Sequence, residues 1–154
     1  MEITAKTEYA VRAMLQLADA CDSAALPVSV DVLAQAQGLP RKFLEAILAD
    51  LRRAELVVST KGAKGGYRLA RPAGEIAIGA IFRAVDGPLA EVRGRRPHQT
   101  SYAGVAEHLP RLWVAVRSSL RQVLDDTSLD QLRTGELPAH VQQLVDEPDA
   151  WVSR

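Results

Sequence analysis

Arg41, Lys42 and Glu45 fall within five residues, and Lys61 and Lys64 follow in the glycine-rich segment KGAKGG. Guanidinium and ammonium groups neutralise phosphates, arginine and lysine donate to guanine edges, and a carboxylate accepts from the cytosine amino group. The same residue types on a helix more often form a solvated face, so their value depends on what positions them. Elsewhere the chain offers little for catalysis. His98, His108 and His140 lie in no nucleophile elbow, phosphate loop or zinc-ligand pair. KGAKGG lacks the Lys-Ser/Thr ending and following helix of a phosphate-binding loop. Cys21 is the single cysteine, so one chain can form neither an internal disulfide nor a multi-thiolate metal site. It reads as a small packing residue, with a redox switch as the alternative. No enzyme activity and no cofactor are expected.

The charge is unevenly placed. Formal net charge is zero over 154 residues, which on its own argues against a polyanion partner. Yet Arg41 to Arg71 holds the bases Arg41, Lys42, Arg52, Arg53, Lys61, Lys64, Arg68 and Arg71 against Glu45, Asp50 and Glu55. From Asp125 onward acids predominate, with Asp125, Asp126, Asp130, Glu136, Asp146, Glu147 and Asp149 opposed by Arg133 and Arg154. The first region suits a polyanion and the tail does not.

The elements that must carry these residues follow from periodicity and caps. Thr4 caps a first helix to about Ala20, with Tyr9, Ala10, Ala13, Met14, Leu17 and Ala18 inward. Asp22 to Val28 reads as a connection. Ser29 caps a short helix Val30 to Gln37, with Leu33 and Ala34 inward. Gly38 suits a left-handed helix end and Pro40 the first turn of the next helix. That helix, Arg41 to Ala54, buries Phe43, Leu44, Ile47, Leu48 and Leu51 and leaves Arg41, Lys42, Glu45, Ala49 and Arg52 outside. LVVSTKGAKGGYRLARP then reads as a β-hairpin with a basic tip. Ile76, Ile78, Ile81, Phe82 and Val85 give a short helix ended by Asp86, Gly87 and Pro88. Residues 87–104 show no apolar period and read as a loop. Val105, Leu109, Leu112, Trp113, Val116, Leu120, Val123 and Leu124 recur at helical spacing and form one long amphipathic helix despite Pro110. SLDQLR is a further capped turn or two, and the acidic tail, 135–154, is expected to be flexible and irregular.

A short helix, a tight turn, an outward-charged helix and a basic hairpin in this order define a winged helix-turn-helix. An α-helix fits the major groove while the hairpin reaches the neighbouring backbone. The fold class is mainly α with a small β-hairpin wing and a long C-terminal dimerisation helix. Three units are expected before the tail: a DNA-binding domain over 1–86, a loop over 87–104, and a dimerisation helix with its short successor over 105–134. The DNA-facing set is Pro40, Arg41, Lys42, Glu45 and Arg52 on the helix, with Thr60, Lys61, Gly62, Ala63, Lys64, Gly65 and Gly66 on the wing. Paired long helices would make a homodimer with recognition helices about 34 Å apart.

These segments resemble the Rrf2 (BadM-type) family of bacterial winged-helix transcription regulators. The resemblance rests on ITAKTEYAVRAML, on LPRKFLEAILADLRRAELVVSTKGAKGGYRLARP, on IAIGAIFRAVDG and on SLDQL, and covers about residues 1–134. It implies a dimer on palindromic operators, with DNA contacts from Pro40, Arg41, Lys42 and Glu45 and from Lys61, Gly62 and Ala63, Glu45 helping to choose bases. Cluster-sensing relatives use three cysteines in the loop after the AVDG-like segment, and this loop, Gly87 to Pro110, has none. Glu8 matches a cluster-ligating position in some relatives; with His98, Glu107 and His108 it is read here as a surface residue, because clusters need several thiolates.

The expectation is therefore a cytoplasmic homodimeric repressor that binds double-stranded DNA without an iron–sulfur cluster. No segment reaches the roughly 18 apolar residues of a membrane span, and MEITAKTEYAVRAM lacks the features of a signal peptide. Two other readings stand beside it: a winged-helix protein-interaction module that reports metabolite status through a partner protein, and a redox sensor with non-cysteine cluster ligands. The loop bases Arg93, Arg95 and Arg96 read as solvated, with an anionic small-molecule effector or DNA backbone as the alternative.

Overall fold

The computed structural model describes residues 2–24 and 26–152. Helix α1 (Ala5–Ala24) is followed by α2 (Val30–Gln37), α3 (Arg41–Arg53) and a hairpin of β1 (Val57–Thr60) and β2 (Gly66–Leu69). Then come α4 (Ile78–Asp86), α5 (Leu109–Leu124), α6 (Leu129–Thr134) and α7 (Ala139–Asp146), with single 3-10 turns at Ala73–Glu75, Pro97–Gln99, Gly104–Ala106 and Pro148–Trp151.

The helix ends follow from their capping residues. Thr4 accepts the Thr7 amide at 3.1 Å, and α1 runs on to Ala24, four residues past its expected end. Ala25, inside the expected connection, lies outside the described residues. Ser29 accepts from the Val32 amide, and Gly38, at φ 62°, closes α2 by donating to Ala34 and Gln35 carbonyls. Ser128 and Gln131 form a reciprocal capping box on α6.

The core draws on every element from α1 to α4, together with α6. Ala10, Ala13, Met14 and Leu17 of α1 meet Leu33, Leu44, Ile47, Leu48, Leu51, Val57, Ile76, Ile81 and Leu129, all essentially inaccessible. Burial of each large aliphatic group stabilises the fold by about 1.5–3 kcal/mol relative to exposure. Phe43 departs from its expected place in the buried stripe. It is 41% exposed, and stacks edge-on against Tyr9 of α1 at 5.7 Å, covered on that side by a half-buried ring at the margin of the core.

The hairpin is antiparallel, with Val57 opposite Leu69 and Thr60 opposite Gly66. Val28 adds a third strand position: Val28 and Tyr67 exchange both amide-to-carbonyl hydrogen bonds at 2.8 Å. Gly66 permits this approach, since a Cβ there would lie 2.4 Å from the Val28 carbonyl oxygen.

The C-terminal third corrects several expectations. The long helix starts at Leu109, not Val105. Pro110 has no amide proton to donate and clashes with a helical carbonyl four residues earlier, so it tolerates only a first-turn position. Gly104–Ala106 forms a separate 3-10 turn that leaves Val105 fully exposed. Within the loop, Val92 pairs with Arg95, and Pro97 is buried in the short turn that packs on α5. Helix α6 joins the first unit instead of following α5 outward: Ile78 donates to Thr127 and Leu129 to Ile76, and Leu129 is wholly buried. The tail forms α7, because Val141 finds apolar cover and the Trp151 indole donates to the Val145 carbonyl at 2.8 Å. The last two tail residues lie outside the described residues.

Lys6 ties three helices together. Its ammonium donates to the Val85 carbonyl at the end of α4, and pairs with Asp50 of α3 at 2.7 Å. This hydrogen bond, aided by the charges of Lys6 and Arg53, holds the Asp50 carboxyl below its usual pKa, against an opposing desolvation effect. A lowered folded-state pKa contributes stability above the unfolded value and loses it on acidification. Asp50→Asn should therefore lower unfolding free energy by about 1 kcal/mol at neutral pH. The gap should narrow as pH falls below about 4, read from urea midpoints at neutral and acidic pH. Gly66→Ala should cost about 2 kcal/mol or more through the backbone clash, with the Tyr67 amide losing exchange protection first. Unchanged Tyr67 protection would contradict the Val28 pairing.

Candidate nucleic-acid interface

The turn between α2 and α3 presents the N-terminal end of α3 to solvent. Pro40 occupies the cap position in extended conformation, and Arg41, Lys42 and Glu45 are all exposed. Lys42 has no ion-pair or hydrogen-bond partner among the described residues. Arg41 is bound on two sides, to Asp31 of α2 at 2.6 Å and to Glu45 at 3.1 Å. The Glu45 hydrogen bond and then the Asp31 charge raise the Arg41 pKa further, which alters nothing for a group already fully charged. Sequence reasoning misses Asp31. Its only signal there is an acidic residue in the first turn of α2, and the contact needs the inter-helix angle.

Arg52 lies at the other end of α3, about 16 Å along the axis from Arg41 at 1.5 Å per residue. Its guanidinium donates to the Ser59 hydroxyl at 3.3 Å, so this member of the expected DNA-facing set also holds β1 to α3.

At the wing, Thr60, Lys61, Gly62, Ala63 and Lys64 are exposed. Lys61 and Lys64 have no partner among the described residues. Gly62 takes φ 105° with open space around its Cα, where an L side chain would be strained. Gly65 and Gly66 face inward instead. The Gly65 amide donates to Gly62 within the tip, and a Cβ on Gly65 would meet the Thr60 carbonyl oxygen at 2.2 Å. The structure thus gathers Pro40, Arg41, Lys42 and Glu45 into one exposed segment and Thr60 to Lys64 into another. Gly65 and Gly66 serve the backbone turn.

Helix α5 has no buried residue. Leu112 is 54% exposed and Val116 39%, while Leu109, Trp113, Leu120, Val123 and Leu124 are half-buried. The Trp113 indole nitrogen is buried without an acceptor among the described residues. Val116, Leu120 and Val123 join Phe82 and Leu89 around an open apolar groove of about 570 Å³.

The donors that could hold a metal are dispersed. Glu8 binds Arg12, His98 meets Arg117 at 3.1 Å, and Glu107 and His108 pair with each other in the exposed turn. Cys21 lies partly buried on α1. Among the described residues no three His, Cys, Asp or Glu groups converge. With one thiol and no thiolate neighbour, this donor set does not fit an iron–sulfur cluster. No helix of the described residues is long and apolar enough to cross a membrane.

Comparison with known proteins accords with this geometry. The profile of the Rrf2 family, described as iron-dependent transcriptional regulator, matches residues 3–135. An HTH-type transcriptional regulator of Mycobacterium tuberculosis, Rv1287, is 48% identical over 147 residues, covering 96% of this chain and 90% of the relative. The solved structure of CymR, the global cysteine regulator of Bacillus subtilis, superposes with TM-score 0.72 at 32% identity, over 88% of this chain and 98% of that one. IscR of T. potens gives 0.67 at 31% identity, over 100% and 93%. The helix-turn-helix, the hairpin with its glycine tip and the AVDG-terminated α4 all lie within the matched span, and the chain belongs to the Rrf2 family of transcriptional regulators.

Proposed function

We propose that this chain is a sequence-specific repressor that binds a palindromic operator as a homodimer and senses something other than a bound iron–sulfur cluster. The carrying observation is that Lys42, Lys61 and Lys64 stand exposed on the start of α3 and the hairpin tip, without partners among the described residues. Unpaired cations break no internal ion pair when they meet phosphate, and each one that does releases condensed counterions. Arg41 differs, because it must share or exchange its carboxylates to reach a base. Exposed ion pairs are worth only about 0–1 kcal/mol, so that exchange is easy. Glu45, beside it, favours a cytosine amino group and repels phosphate. Sequence preference is thus assigned to Arg41 and Glu45, and general affinity to the lysines.

Dimerisation is assigned to α5. An amphipathic helix left without a buried residue, bordered by an apolar groove, suits burial against the same face of a second copy across a two-fold axis. The missing cluster donors leave the choice of signal to other chemistry.

Fluorescence anisotropy on genomic duplexes tests the reading. A dimer neutralising about six phosphates gives a log affinity against log salt slope near −5. Lys61→Ala and Lys64→Ala should each flatten it by about one for every phosphate left unneutralised, and Arg41→Ala or Glu45→Ala should redistribute base preference more than affinity. Leu112→Glu with Val116→Glu should shift sedimentation to the monomer and weaken palindrome binding. A wild-type protein that sediments as a monomer, or that ranks no duplex above mixed-sequence competitor, would overturn this assignment.

A further inference from the structure

Where the hairpin rejoins the helical body, β2 runs into a cleft of about 500 Å³ bounded by α1, by residues 71–74 and by α6. Its volume falls in the range of small-molecule sites. Arg68 and Arg71 line it from the β2 side, Asp130 and Arg133 from α6, and Cys21 and Leu69 from the core side. Arg133 is matched to Asp130 by two hydrogen bonds, 2.7 and 3.1 Å. Arg68 and Arg71 are exposed and have neither ion pair nor hydrogen bond among the described residues. With Arg133 engaged by Asp130, Arg68 and Arg71 are the cations of the described lining that no described carboxylate meets.

Duplex DNA is the obvious competitor for such charge, and the strand geometry disfavours it. Side chains alternate faces along a strand. Arg68 lies opposite Val58 in the register, one position from Ser59, the residue that Arg52 of α3 engages. Arg68 therefore projects from the hairpin face turned away from α3.

We infer that this cleft binds a small organic dianion, a dicarboxylate or a phosphate monoester, held by Arg68 and Arg71. Guanidinium forks match both groups in bidentate geometry. Pro72 and Ala73 supply apolar surface for the carbon part, and the ligand would span the stem of the hairpin, α1 and α6. The site stands on its own geometry and does not depend on the chain binding DNA.

Cys21 makes the test site-specific, because it is the single thiol of the chain and lines this cleft. The full-length protein is labelled with N-ethylmaleimide in the presence of succinate or glycerol 3-phosphate, at ionic strength held constant with sodium chloride, and calorimetric titration runs in parallel. At least one probe should bind saturably and slow labelling. Arg68→Ala with Arg71→Ala, which breaks no ion pair or hydrogen bond among the described residues, should weaken that probe at least about tenfold, since both charge-assisted contacts to the dianion are removed. Arg93→Ala with Arg95→Ala should leave it unchanged. The inference fails if neither probe binds, if chloride alone reproduces the protection, or if both double variants weaken binding equally. It fails also if the Arg68 and Arg71 variant loses affinity only for a mixed-sequence duplex, which would give these arginines to DNA.

Discussion

The Lys6 ammonium holds three helices to a common orientation. From the first turn of α1 it reaches the Val85 carbonyl of α4 and the Asp50 carboxylate of α3. Beside it, Thr4 and Thr7 both donate to Asp86, and Arg53 reaches Asp50 from its own helix. Apolar packing supplies most of the stability but is nearly non-directional. Short charge-assisted bonds are directional, and these ones set how α3 lies across α1 and α4. The presentation of Arg41 and Lys42, and the point at which the chain leaves Asp86 for the loop and α5, both follow from that orientation. The same network joins α3 to the start of the loop.

A chain with no net charge can still carry a strong local field, because exposed charges more than about 10 Å apart are largely screened at 0.1 M salt. What matters is which cations are already spent. Lys6, Arg12, Arg53 and Arg83 are engaged by carboxylates within the fold, and Arg41 is held by two. Lys42, Lys61 and Lys64 have no such partner among the described residues. Counting bases along the sequence overstates the region's field; counting the unpaired ones locates it at the start of α3, at the hairpin tip and, through Arg68 and Arg71, beside the stem of β2.

What can be read from the sequence is local chemistry. Ser29, Gly38 and the Ser128–Gln131 pair act within four residues of themselves, and each terminus forms as the side chains dictate. The hairpin and its glycine tip are legible for the same reason. The misses are mostly long-range. Phe43 has the right helical phase for burial, yet it stands partly exposed against Tyr9 of α1, a contact set by how the two helices pack. Asp31 meets Arg41 only through the α2–α3 angle. Val28 becomes part of the wing through pairing across 39 positions. Helix α6 fills the core beneath Ile76 although α5 separates them in sequence. Pro110 is the local exception: it marks where α5 begins, and the apolar rhythm that runs through it from Val105 is coincidence.

The loop between α4 and α5 shows how this chain orders a segment without thiolates. Arg93 and Gly94 both take positive φ in a tight turn, closed by reciprocal Val92 and Arg95 hydrogen bonds. Pro97 is then buried, and His98 reaches Arg117 of α5. Covalent ligation by a cluster would tie loop conformation to metal content and oxidation state. Here packing and hydrogen bonds hold the loop against α5. Phe82 and Leu89 border the groove along α5, and Pro97 and His98 pack beneath the helix, so these groups set where its apolar face stands.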